Sequence, residues 1–169
     1  MRVTPPAPSR PAADASSGLS GRGGAVPLSP DDLLALDNQV CFALVTAARN
    51  VVGLYRPILE PLGLTHPQYL VMLALWERSP RSLRELAAEL ALEPATLSPL
   101  VKRLQSQGLV TRARRGGDER VLDVGLTDAG RALRERALDV PGQVMASAGT
   151  DADALLALRD ALRPFSGAR

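Results

Sequence analysis

The chain has 169 residues, with 20 Lys and Arg against 18 Asp and Glu, and one Cys and one His. That length suits one domain with enough apolar content for a core. A single thiol excludes an intramolecular disulfide, and one Cys with one His excludes a Cys/His metal centre, so no metal or cofactor is expected.

No run of 18 apolar residues occurs, and the first residues lack an apolar signal core. The expectation is therefore no membrane span, no secretion and a reducing cytoplasmic location. The net charge of +2 says little by itself. Its distribution says more: Lys102, Arg103, Arg112, Arg114, Arg115 and Arg120 face only Asp118 and Glu119 over one stretch. Such a basic stripe is an electrostatic footprint for phosphate, although it is also what a solvated surface patch looks like.

Residues 1–28 are rich in Pro, Ala, Ser and Gly and nearly free of large apolar side chains. They read as a disordered tail, because too little surface could be buried to offset the ordering entropy. Order is expected from Ser29, an N-cap followed by Pro30 and two acids. Leu33, Leu36, Val40, Leu44, Ala47, Val51, Leu54 and Ile58 then recur in steps of three and four. That spacing predicts one long amphipathic helix to about Glu60, with Pro57 a candidate kink. Its apolar face is broad enough to need a cover, and a second subunit is one candidate.

Gly63 ends this element, and a helix is expected over Pro67–Arg78, with Tyr69, Met72 and Trp76 as core. Ser82 and Glu85 have capping-box spacing for a short helix ending near Leu90. Another helix is expected from Pro94 to Gln107, with Gly108 as its cap. Leu109–Arg114 and Arg120–Leu126 read as two strands joined through glycines into a hairpin. A helix then runs from Thr127 to about Asp139. Pro141-Gly142 interrupts it, helical signal resumes through Ala148, and a last helix covers Asp151–Arg163.

A short helix, a tight connection, a second helix and a basic hairpin make a winged helix-turn-helix. The second helix is slim enough for the major groove. Near its start, Thr96 and Ser98 can hydrogen-bond base edges and Pro99 can touch a thymine methyl. Lys102 and Arg103 lie farther along, suited to guanine or phosphate. Arg112, Arg114, Arg115 and Arg120 charge the wing for a minor groove, and Asp118 is placed to orient Arg120. The expected class is mainly α with a small β wing, and double-stranded DNA is the expected partner.

These segments carry a resemblance. Leu36-Asp37-Asn38-Gln39-Val40-Cys41-Phe42, Tyr55-Arg56-Pro57, His66-Pro67-Gln68-Tyr69-Leu70, Leu97-Ser98-Pro99-Leu100 and Ala137-Leu138-Asp139-Val140-Pro141-Gly142 are similar to the MarR family of bacterial regulators. Within that family they resemble the organic-hydroperoxide repressors of one-cysteine type. The resemblance covers about Leu36 to Ala148.

It implies a homodimer through N- and C-terminal helices (29–62 and 127–165), a DNA-reading lobe at 67–126 and a pseudo-palindromic operator. It further implies that organic hydroperoxide oxidises Cys41 and thereby releases the operator, with a low-molecular-weight thiol forming a mixed disulfide. Family tyrosines that bond the cysteine across the dimer match Val45, Tyr55 and His66, so one phenol is kept. Read as one long helix, the first element leaves Cys41 several turns from its start, beyond useful reach of the helix dipole. Two other functions stand beside this one: a repressor released by a small aromatic ligand without thiol chemistry, and a thiol peroxidase. The second lacks a resolving cysteine and a recognisable peroxidase motif, so no enzyme is expected.

Overall fold

The apolar spacing that suggests one helix from Ser29 to Glu60 is divided in the structure. A computed structural model of the chain describes residues 29–115 and 118–165, with the side chains of 115–120 outside that description. The expected tail at 1–28 therefore lies outside the described residues. The described chain divides at Gln39 into two units, one up to Gln39 and one from Val40 onward.

In the first unit, α1 spans Pro30–Leu34. The Ser29 hydroxyl accepts from the Asp32 N–H at 3.1 Å, and the Asp32 carboxylate accepts from the Ser29 N–H at 3.0 Å and its hydroxyl at 2.7 Å. These bonds from Ser29 hold the Asp32 carboxyl below the usual range. The helix stops at Ala35, whose backbone is extended, and a 3-10 turn over Leu36–Asn38 ends at extended Gln39. Asn38 Nδ2 donates to the Asp32 carbonyl at 2.8 Å and Gln39 Nε2 to the Leu33 carbonyl at 2.7 Å. Side chains thus occupy carbonyls that a continuing helix would have used.

The second unit begins with α2, Val40–Leu59, which carries Pro57 without ending there. A 3-10 turn over Glu60–Leu62 leads to Gly63, whose φ of 70° closes the element. Helix α3 spans His66–Glu77 and buries Tyr69, Val71, Met72 and Leu75. Strand β1, Arg81–Ser82, is too short for any period to announce it. Ser82 then caps α4, Leu83–Glu89, through the box that the sequence predicts.

Helix α5 spans Pro94–Ser106, and strands β2 and β3 span Val110–Arg115 and Asp118–Leu126. The sheet is antiparallel in the order β1-β3-β2, with Arg81 and Arg112 both opposite Val124. Leu86, Leu97, Val101, Leu104, Val110 and Val124 fill the space between sheet and helices and are fully buried. Each contributes on the order of 1.5–3 kcal/mol.

Helix α6, Asp128–Ala137, starts against the turn between α5 and β2. The Thr127 hydroxyl donates to the Gly108 carbonyl at 2.7 Å and accepts from the Gly130 N–H at 3.0 Å. A Cβ on Gly130 would overlap the Leu109 carbonyl oxygen, so only glycine permits this approach. Trp76 Nε1 donates to the Gly130 carbonyl at 2.8 Å and ties α3 to the same point.

Helix α7 is Val140–Ala148, so the interruption falls before Pro141-Gly142 and not at it. Proline sits in the first turn, where its missing N–H costs nothing. Helix α8, Ala152–Leu162, buries no residue. Among the described residues no helix is long and apolar enough to cross a membrane.

Candidate nucleic-acid interface and sensing cysteine

Helix α5 separates cleanly into two faces. Leu97, Val101 and Leu104 are fully buried, at helical spacing. Thr96, Pro99, Lys102 and Arg103 are exposed, and Ser98 is half-buried. Five of the expected contact residues therefore share one helix, and four of them face solvent. Ala95 lies on the same exposed face, in the first turn. A helical wheel would have found it, but its lack of a polar group drew no notice.

The far end of α5 is anchored. Gln107 Nε2 donates to the Gly63 carbonyl at 2.8 Å, and its Oε1 accepts from buried Gln68 at 3.3 Å. The near end follows a turn in which Ala91 has φ 52°, a left-handed conformation that a side chain disfavours.

The hairpin leaves α5 through Gly108, at φ 74°. Directly paired residues share a face, so Arg112 lies beside buried Val124 on the inner side of the sheet. It is half-buried, and its Nε is enclosed without a hydrogen-bond partner. Arg114 is exposed. The side chains of Arg115, Asp118 and Arg120, and the pair expected between the last two, lie outside the described residues. Their backbones are in the strands, with Arg115 opposite Asp118 after a register shift.

Cys41 is exposed and is the second residue of α2. This corrects the expectation that it lies several turns into a helix. The break at Gln39 puts it in the first turn of α2. Val40, Phe42 and Val45 around it are also exposed.

Tyr55 and His66 form a separate cluster. Their ring centroids lie 4.7 Å apart, and Tyr69 stands 6.0 Å from Tyr55 and 6.3 Å from Trp76. Burial pushes the His66 pKa down, and burial followed by the neighbouring Tyr55 pushes the Tyr69 phenol up. Tyr55 lies fourteen helical steps beyond Cys41 on α2, about 21 Å along the axis. Within one chain, then, Tyr55 and His66 meet each other but not Cys41.

One groove lies between α3 and the α6–α7 region, with a volume of about 290 Å³ and Tyr69, Leu73, Trp76, Glu77, Arg134 and Leu138 in its walls. Among the described residues no group of His, Cys, Asp and Glu is arranged to hold a metal ion.

Comparison with known proteins agrees with this geometry. Residues 53–136 match the family model of the transcriptional regulator SarA/Rot. The organic hydroperoxide resistance transcriptional regulator of Bacillus subtilis is 38% identical over 131 residues, which cover 78% of this chain and 89% of that protein.

Reduced AbfR bound to DNA, from Staphylococcus epidermidis, is 31% identical with a TM-score of 0.68, over 81% of this chain and 96% of that one. The same regulator has been solved overoxidised on DNA (31% identity, TM-score 0.66, 81% and 97% covered) and with a disulfide formed (33%, 0.57, 80% and 92%).

BpsR of Bordetella bronchiseptica, whose DNA binding is regulated by 6-hydroxynicotinic acid, is 27% identical with a TM-score of 0.71, over 80% of this chain and 98% of that one. A winged-helix lobe whose helix α5 exposes Lys102 and Arg103, in a chain matched along most of its length to such regulators, is decisive: this chain belongs to the MarR family of DNA-binding transcriptional regulators, among the relatives of its organic-hydroperoxide regulators.

Proposed function

We propose that this protein is a homodimeric repressor that leaves its operator when an organic hydroperoxide oxidises Cys41. The observation that carries the reading is the placement of an exposed thiol in the first turn of α2, in a chain similar to a hydroperoxide-resistance regulator.

The dimer supplies what one chain lacks. Val45, Val51 and Val52 on α2 and Leu155, Leu156 and Leu158 on α8 are exposed, which leaves two apolar helix faces without a cover in the protomer. A second copy covering them brings its Tyr55–His66 cluster toward this chain's Cys41, where the phenol donates to the thiolate. The two exposed α5 faces then enter successive major grooves of a pseudo-palindromic site. Thr96, Ser98 and Pro99 meet bases, Lys102 and Arg103 meet phosphate or guanine, and the wing arginines Arg114, Arg115 and Arg120 reach the minor groove, while Arg112, on the inner side of the sheet, stays at the base of the wing.

In the sensing step the thiolate attacks the O–O bond. Sulfur gains one oxygen as sulfenic acid, and the peroxide is reduced to its alcohol. A low-molecular-weight thiol then condenses with the sulfenic acid, forming an S–S bond and releasing water. Because the chain has one cysteine, this disulfide joins it to another molecule. A neighbour solved overoxidised yet on DNA argues for the mixed disulfide as the releasing form.

The test is Cys41→Ser. Operator binding should persist in the variant, and release by hydroperoxide plus thiol should be abolished. Intact mass of the wild type should show the thiol adduct. Release of the serine variant by hydroperoxide would overturn the reading.

A second reading rests on the groove of about 290 Å³ beside Tyr69, Trp76 and Arg134, which suits a small aromatic acid. It pairs with the likeness to a regulator controlled by 6-hydroxynicotinic acid. Under it, an aromatic acid releases wild type and Cys41→Ser alike.

A further inference from the structure

Among the described residues, Arg81 is the one charged side chain that is buried, at 4% exposure. A guanidinium out of water is costly unless its geometry is fixed by partners. Its three partners lie at the ends of two helices. Nε donates to the carbonyl of Arg78, the residue that closes α3, at 3.1 Å. Nη2 donates to Glu77 of α3 at 3.4 Å, and Nη1 lies 3.0 Å from the carboxylate of Glu89. Glu89 is the last residue of α4, two residues before the left-handed Ala91 that turns the chain into α5.

The backbone of Arg81 pairs with Val124, which pairs on its other side with Arg112 of the wing. One residue therefore joins the ends of α3 and α4, through its side chain, to the root of the hairpin, through its backbone. Stability is a weak reason for such an ion cluster, because apolar residues of similar size often replace one without loss. Geometry is the better reason.

We propose that Arg81 is a positioning residue for DNA reading: it fixes the wing at one angle to helix α5, so that the hairpin reaches the minor groove while α5 occupies the major groove. The inference rests on the docking described above, in which α5 and the wing engage adjacent grooves. Arg81 touches no DNA. It acts through Glu89 on the turn before α5 and through Val124 on the wing. Without the guanidinium, β1 loses its hold on α4, and the wing docks loosely while α5 still binds.

The experiment uses the full chain, reduced, on a duplex selected by the wild type from a randomised pool. Arg81→Leu keeps an apolar body at the site, and Glu89→Gln cuts only the arm to α4. Glu89 is partly exposed, so its loss leaves the fold intact even where the leucine variant does not fold. Hydroxyl-radical footprinting reports the minor groove, methylation protection reports the major groove, and titration at several salt concentrations gives the slope.

We expect major-groove protection to persist, and flanking minor-groove protection to fade in Arg81→Leu and to weaken in Glu89→Gln. Affinity should fall about tenfold in Arg81→Leu, with a salt slope shallower by about one per lost phosphate contact. Arg81→Lys should restore the footprint only in part, since its single nitrogen cannot span partners that the guanidinium reaches from three. A purely structural role would lower the melting temperature and the active fraction yet leave the footprint and slope of bound protein unchanged, and that result overturns the proposal. Absence of minor-groove protection from the wild type itself would refute the wing docking, and this inference with it.

Discussion

His66 is the only histidine, and it sits half-buried against Tyr55. Burial favours the neutral imidazole, so the folded pKa lies below the ordinary 6.5. Between those two values the unfolded chain binds more protons than the folded one. Stability therefore rises with pH through that window. It is complete above 6.5 and is lost as pH falls through 6.5 toward the folded value. Urea midpoints measured from above pH 6.5 down to about pH 5 should show this decline, because the carboxylates titrate lower. In His66→Gln the slope in that interval should vanish. A slope that survives the substitution would assign it to another group.

The element most open to improvement is the connection between α4 and α5. Ala91 is exposed and holds φ 52°, so its methyl group gains no packing and bears the left-handed penalty. Ala91→Gly should stabilise the protein by about 1 kcal/mol, after allowance for glycine's greater freedom when unfolded. Thermal unfolding checks this, and a lowered midpoint would mean that the turn relies on the methyl group. The ends of α4 and α5 were legible in the sequence because Ser82, Glu85, Pro94 and Gly108 are terminators with a local mechanism.

The division of the first helix was not legible. Leu33, Leu36 and Val40 keep helical spacing across it, and the break is made by Asn38 and Gln39 bonding back to carbonyls of α1. Apolar periodicity does not register polar side chains that compete with the backbone. Moving that boundary moved Cys41 from several turns inside a helix to a first turn. Arg81 escaped notice for a related reason. In a charged stretch it reads as solvent-facing, and only the pairing of two residues with β3 carries it inside.

At the scale of the molecule, the pattern of exposure separates what folds the winged-helix lobe from the apolar surface that the proposed dimer would cover. The lobe's core, from Leu86 to Val124, is complete in one protomer. Helix α8 contributes nothing to it, yet exposes Leu155, Leu156 and Leu158. Replacing Leu155 and Leu158 together by Glu should therefore leave the winged helix folded and abolish self-association. Two carboxylates on each chain would be buried without partners if the subunits met. Sedimentation should find the wild type dimeric and the variant monomeric, with unchanged near-ultraviolet signals from Trp76 and Tyr69. Affinity for a duplex with two half-sites should drop about 100-fold or more, since each lobe then binds without the second. On the proposed sensing mechanism, the thiol would lose its response as well. With about 21 Å of helix between Cys41 and Tyr55 in one chain, only a partner can bring a phenol to the sulfur. A monomeric variant that still formed the mixed disulfide at the wild-type rate would show that Cys41 needs no second subunit, and a variant that remained dimeric would place the interface elsewhere.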